Sequence, residues 1–329
     1  MAMNYRKNRF YREGAFHHLY IKALDGRVLF YRTEDYLFLY TLFSVIVRKY
    51  DIKVEMFCIM FNHIHACLYA QSETSFKSFC RDLSSIFTKG YNKEYHKEGK
   101  LLLRCGYSAK TAGKSIRSCL IYIANNPVSG RLVGKALDYK WNLLAYCVSN
   151  HPFSERLVKR ESRYKMRQGL AFVDWCFKEN HFLNYAMIAR IFKNISARER
   201  SQIIDYVIVK YFFLDASEFI GHFGSIEKAT VAIDSSAGAE HDIYEPWEDY
   251  SIYLSMLRMT LDSGLDFKRF RFQEMDPEDL FLLETRLSVI RGVTDRHLAR
   301  FLHLSTGART SAASTLLRST CSSALPATR

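Results

Sequence analysis

From Val54 to Ala70 the chain is an apolar run broken only by Glu55, Asn62, His63 and His65. Such a run has the composition of two buried strands, Val54 to Met60 and His65 to Ala70, joined through Asn62. Side chains at i and i+2 of a strand leave the same face. The imidazoles of His63 and His65 are therefore expected side by side, as one divalent metal requires. Alone, the pair also has a blander reading, two histidines bordering a strand.

A second segment decides between them. Ser115 to Asn126 reads as a short amphipathic helix, with Ser115 as N-cap and Ile116, Leu120 and Ile123 as its apolar stripe. Ser118, Tyr122 and Asn126 recur at i, i+4 on another face. Pro127 disfavours helical backbone at the residue before it, so Asn126 is expected in the last turn with its amide projecting from the helix end. A tyrosine nucleophile and an amide-oxygen ligand one turn apart then face the same metal. The alternative is a core tyrosine followed by an ordinary Asn-Pro helix stop.

Together, Phe61-Asn62-His63-Ile64-His65 and Tyr122-Ile123-Ala124-Asn125-Asn126-Pro127-Val128 resemble the single-tyrosine HUH transposases, most closely the REP-associated branch. That branch shows a hydrophobic strand ending in Pro-Asn-His-hydrophobic-His, then Tyr-Ile-x-x-Asn-Pro-Val. The resemblance covers about residues 10 to 150. It includes a weaker opening at His17-His18-Leu19-Tyr20-Ile21 and a Trp141 after the tyrosine helix. The departures are Phe61 in place of the usual proline, and Lys22-Ala23-Leu24-Asp25-Gly26 in place of arginine-glycine after the first strand.

A coarse pass gives a first strand at Phe16 to Ala23 and a helix from Glu34 to Lys49, then the two strands above. A second helix follows from Thr74 to Glu98, and a fourth strand begins at Leu101 to Arg104. A glycine-flanked loop, Gly106 to Lys114, then leads to the tyrosine helix. This order matches an α+β fold, the ferredoxin-like antiparallel sheet that the resembled family uses, followed by a mostly helical C-terminal region. The expected division is a catalytic domain at 1–150, a helical extension at 151–278, a helix-turn-helix segment at 279–318 and a flexible tail at 319–329. The glycine-flanked loop leaves open whether the tyrosine serves its own subunit or a homodimer partner.

The chain of 329 residues carries a formal net charge of +13, which points to an anionic partner, most economically nucleic acid. Lys89 and Lys93 on the second helix, and Lys110, Lys114 and Arg117 around the tyrosine helix, are expected to track a phosphate backbone. Tyr91, Tyr95 and Tyr107 among them are candidates for base stacking. A denser cluster at 156–167, with Lys159, Arg160 and Arg163, is a second candidate grip on duplex or hairpin DNA. No apolar stretch approaches the roughly 20 residues of a membrane span, and the amino terminus lacks the core of a signal peptide. A cytoplasmic protein is expected. The 8 cysteines form no Cys-x-x-Cys pair and read as small apolar fillers. Farther along, Asn184 to Ile191, Ala197 to Phe213 and Tyr250 to Leu261 are helical in period. Leu283 to Ile290, Thr294 to Leu302 and Arg309 to Arg318 resemble a helix-turn-helix, the last helix being the reader.

The expected chemistry is cleavage and rejoining of single-stranded or hairpin DNA. His63, His65 and Asn126 hold Mg²⁺ or Mn²⁺, and Tyr122 attacks the phosphodiester. The 5′-phosphotyrosine product and the hairpin-forming repeat target follow from the resemblance. The rival readings are a DNA-binding regulator with decayed chemistry, a replication initiator or relaxase, and a metal-dependent hydrolase. The lack of a helicase-like P-loop and of a third nearby histidine weighs against the initiator.

Overall fold

Pairing around Phe16–Lys22 organises the molecule. The computed structural model describes residues 9–236, 247–265 and 270–304. Its sheet has the order β1-β5-β2-β4-β3, from β1 (Arg9–Phe10), β2 (Phe16–Lys22), β3 (Lys53–Ile59), β4 (His63–Tyr69) and β5 (Gly106–Lys110). The four longer strands are antiparallel, and β1 adds a short parallel edge to β5. With α1 (Thr33–Lys49) between β2 and β3 and α2 (Glu73–Tyr95) between β4 and β5, this is the ferredoxin-like arrangement.

Register divides the side chains. Tyr20 lies opposite His65, His18 opposite Cys67 and Ser108, and Lys22 opposite His63, so these residues share one face. Leu19 and Ile21, with Ala66, Ile64 and Tyr107, line the other. That second face packs against α1 and α2, through Phe43 on Phe57 and Phe76 on Tyr107. The histidine face is covered by α3 (Gly113–Ser129), where Tyr122 meets His18 and His65.

Two local expectations are corrected. The segment from Gly106 is strand β5, with Leu101 to Arg104 contributing only a bridge from Leu102 to Ala23. Alternation of Tyr107 and Ala109 against Ser108 and Lys110 outweighs the flanking glycines, because β2 supplies a full ladder. Second, α3 starts at Gly113, so Ser115 lies inside the helix. Its hydroxyl accepts from Ala112 N at 3.3 Å and donates to Ala112 O at 2.8 Å. The helix also runs through Pro127. The proline withholds only its own N–H, and the next turn closes through Gly130 N to Asn126 O at 2.9 Å and Leu132 N to Pro127 O at 2.8 Å.

By its internal contacts the chain divides into two compact units, Met1–Ser251 and Ile252–Arg329. In the first, α1 is buried on nearly every side because α4 (Tyr164–Lys178), α5 (Tyr185–Phe192) and α6 (Ala197–Lys210) lie beyond it. Buried cross-links tie them together: Tyr40 OH donates to Ile208 O at 2.7 Å, Leu183 N to Thr41 Oγ1 at 3.0 Å and Tyr185 OH to Asp35 at 3.0 Å. The free edge of β3 is covered as well. Leu214 bridges Val54, and α7 (Ala216–Gly221) and α8 (Ile226–Ser235) follow. All six buried cysteines among the described residues are free thiols, and Cys147, half-buried, is free too.

The second unit holds α9 (Ser251–Asp262), α10 (Pro277–Ser288) and α11 (Asp295–Leu302). Thr294 caps α11 through His297 N, and Leu283, Leu287, Leu298 and Phe301 are buried. The expected reader helix Arg309 to Arg318 and the tail 319–329 lie outside the described residues. No helix among the described residues is long and apolar enough to cross a membrane.

Candidate active site

His63 and His65 stand at the start of β4 with ring centroids 4.8 Å apart, both essentially buried. Asn62 sets the first ring. Its Nδ2 donates to Gly26 O at 3.0 Å, which turns Oδ1 toward His63 Nδ1 at 2.7 Å. An amide oxygen only accepts, so Nδ1 carries the proton and Nε2 the lone pair. The carbonyl that orients Asn62 belongs to the Leu24–Gly26 turn, where the sequence departs from the family's usual arginine-glycine. Tyr250 completes the group, its hydroxyl 3.1 Å from Asn62 Oδ1 and 3.3 Å from His63 Nδ1. Phe61, the other departure, stacks on the Tyr250 ring, and its carbonyl accepts from Leu29 N at 2.8 Å.

His65 is held differently. Its Nδ1 lies 2.9 Å from His18 Nε2, and Tyr20 stacks on it at 4.9 Å. When His65 donates through Nδ1, its Nε2 keeps a lone pair. Half-buried Tyr122 stands edge-on to His65 at 5.6 Å and to His18 at 5.7 Å between centroids. The tyrosine and the histidine pair thus meet within one chain. One turn on, Asn126 donates through Nδ2 to Tyr122 O at 3.1 Å. Its Oδ1 is the ligating atom that remains.

The four longer strands of the sheet, α3 up to Asn126 and the histidine pair all fall within one stretch that a family model matches. Residues 16–126 match the family model for transposases of the IS200-like type. This segment is similar to IS200-like transposase domains. A solved structure of a REP-associated tyrosine transposase bound to a REP hairpin is similar at 18% identity, over 46% of this chain and 96% of that chain, with a TM-score of 0.38. No curated protein matches the sequence significantly.

Around the matched segment the expected DNA contacts fall into three groups. Lys89, Lys93, Lys114 and Arg117 are exposed, with the Arg117 guanidinium over the Phe223 ring at 5.4 Å. Lys89 borders a groove of about 610 Å³ whose floor includes Phe76, Leu102 and Tyr107 and whose rim includes Lys100 and Arg104. Lys110 is corrected: it belongs to β5 and is buried on the histidine face, which withdraws it from a DNA backbone. In the 156–167 cluster Arg160 is exposed, but Lys159 bonds Tyr206 OH at 2.7 Å and Asp174 at 3.3 Å, and Arg163 grips Glu199 through both nitrogens. Those two side chains pin α4 against α6.

The stacking tyrosines are corrected too. Tyr91 and Tyr95 are fully buried and stacked at 4.3 Å, and Tyr107 packs against Phe76. With Phe87 they continue the core stripe of α2 at four-residue spacing. A third histidine does stand nearby: His18, which the sequence reading passed over as part of a family-like opening. Its signal was alternation, since His18, Tyr20 and Lys22 share the face that His63 and His65 occupy. Tyr250, 187 residues from His63, left no local signal.

Proposed function

We propose that the protein is a transposase that cuts and rejoins single-stranded DNA, with Tyr122 as nucleophile and His63, His65 and Asn126 as holders of Mg²⁺ or Mn²⁺. The observation that carries this reading is Tyr122 edge-on at 5.6 Å to one histidine of the pair, in the same chain. The donor set suits a divalent cation: two imidazoles on one face, one with its tautomer fixed by Asn62, and an amide oxygen one turn from the tyrosine. Such a cation, when bound, polarises the scissile phosphodiester.

The rest is the work of this chain's own residues. Tyr122 oxygen bonds to phosphorus and its proton departs, while the bond to the 3′-oxygen breaks and that oxygen leaves as a hydroxyl. The 5′-phosphotyrosine link conserves the bond energy, so a 3′-hydroxyl reverses the step without external energy. Burial around His18, His65 and Asn126 restricts water, which favours strand joining over hydrolysis. The exposed cations on α2 and at the start of α3 contact the backbone. The groove beside Lys89 receives an unpaired base on its apolar floor. Hairpin-forming repeat DNA is the target class, from the resemblance of the two motifs.

The test is incubation of purified protein with Mn²⁺ and labelled single-stranded hairpins, followed by a denaturing gel. A protein–DNA band that vanishes in Tyr122→Phe and in His63→Ala is the expected result. Nicking without that band makes the protein a hydrolase, and binding with neither makes it a regulator.

A further inference from the structure

Away from the histidine–tyrosine cluster, β3 carries a residue that buried strands rarely hold. Glu55 occupies the bulge between Val54 and Met56, and its side chain is completely buried. An ionised carboxylate removed from water costs several kcal/mol unless it is compensated. Its neighbour is His222, at the end of α7, with Nε2 3.2 Å from Oε1 and 3.1 Å from Oε2. Oε2 receives no hydrogen bond.

Glu218 lies one turn before His222 on α7. The ligand atoms of Glu55, Glu218 and His222 all fall within 4.8 Å of one another, the one such triad of His, Cys, Asp or Glu among the described residues. A single imidazole does not balance two carboxylates this close. The buried Glu55 Oε2, without a hydrogen bond and within reach of the other two ligand atoms, is an oxygen that a cation would satisfy.

We propose that Glu55, Glu218 and His222 form a second cation site, separate from the histidine–tyrosine site, for a divalent transition metal of the Zn²⁺ class. Two carboxylate oxygens and one imidazole nitrogen make a mixed set that such a borderline ion accepts, with a position left for water. The ion clamps α7 onto the bulge of β3, where Leu214 already bridges Val54. The clamp also adjoins the tyrosine helix, because Phe223, next to His222, lies under the Arg117 guanidinium of α3.

The test counts metal and reads stability. Chelator-treated protein is titrated with Zn²⁺ by calorimetry, bound metal is measured by mass spectrometry, and Tm is followed. In His63→Ala/His65→Ala, one Zn²⁺ per chain remains and raises Tm. Adding Glu218→Ala, at an exposed position that leaves packing intact, weakens that binding at least about tenfold and removes the Tm rise, as does His222→Ala. In the otherwise wild-type chain, Glu218→Ala lowers bound Zn²⁺ by one, which keeps the test valid if the double histidine variant misfolds. A histidine variant that folds and binds no Zn²⁺, or Zn²⁺ binding indifferent to both α7 substitutions, overturns the proposal.

Discussion

Asn62→Ala probes how the active-site tautomer is set. The wild-type amide accepts from His63 Nδ1 at 2.7 Å and Tyr250 OH at 3.1 Å, and donates to Gly26 O at 3.0 Å, all in a buried setting. Each net hydrogen bond contributes about 1 kcal/mol, so their joint loss should cost about 3 kcal/mol of stability. The more specific effect is on the ring. Without Asn62 the Tyr250 hydroxyl, already 3.3 Å from His63 Nδ1, becomes the donor to that nitrogen. The proton then moves to Nε2, and the lone pair that would bind a cation is gone. Mn²⁺ affinity should fall about 10- to 100-fold, the usual cost of losing an outer-shell partner. Tyr250→Phe alone should change it by no more than about threefold, because Asn62 still holds the ring. The double variant should recover part of the loss, since no donor faces Nδ1. Calorimetric Mn²⁺ titration in the Glu218→Ala background measures these affinities, and nitrogen chemical shifts of His63 report the tautomer. A double variant that binds more weakly than Asn62→Ala, or an Asn62→Ala protein of unchanged affinity, refutes the reasoning.

Burial raises the Asp35 carboxyl from 3.8 to about 6, with Arg32, Tyr95 and Tyr185 only partly offsetting it. Since the folded value exceeds the unfolded one, the contribution is present below about pH 4 and is lost as pH rises through 6, about 3 kcal/mol in all. Urea unfolding of wild type and Asp35→Asn across pH 4 to 7 should therefore diverge, and parallel curves would contradict the assignment. Lys89→Ala/Lys100→Ala should weaken single-stranded DNA binding across sequences and reduce the log–log salt slope by about 0.7 per lost phosphate contact. Fluorescence anisotropy at several salt concentrations checks this, with an unchanged slope placing the DNA elsewhere. His18→Phe removes the nitrogen facing His65 Nδ1 and should lower adduct yield with Mn²⁺ in excess, while hairpin affinity stays close to wild type. Equal yield would reduce His18 to a packing residue.

Sequence spacing carried the fold wherever a spacing dictates a face. His63 and His65 at i, i+2 had to share a strand face, and the order of strands and helices, with the family resemblance, pointed to one antiparallel sheet before any register was known. The same logic, applied to α2, would have kept Tyr91 and Tyr95 in the core, since Phe87, Tyr91 and Tyr95 follow a four-residue period; the interleaved lysines drew attention to the opposite face. What spacing does not encode is register and long-range packing. His18 meets His65 because β2 pairs with β4 so that Tyr20 lies opposite His65. A two-residue slip would keep every side chain on its face and still break that hydrogen bond. Tyr250 and His222 reach the sheet from beyond residue 210, after the chain has wrapped α1 with α4 to α6 and covered the edge of β3. Glu55 shows the limit most plainly. In the sequence it is one acidic residue in an apolar strand; only the bulge that turns it inward and the helix that brings Glu218 and His222 to it make it a site.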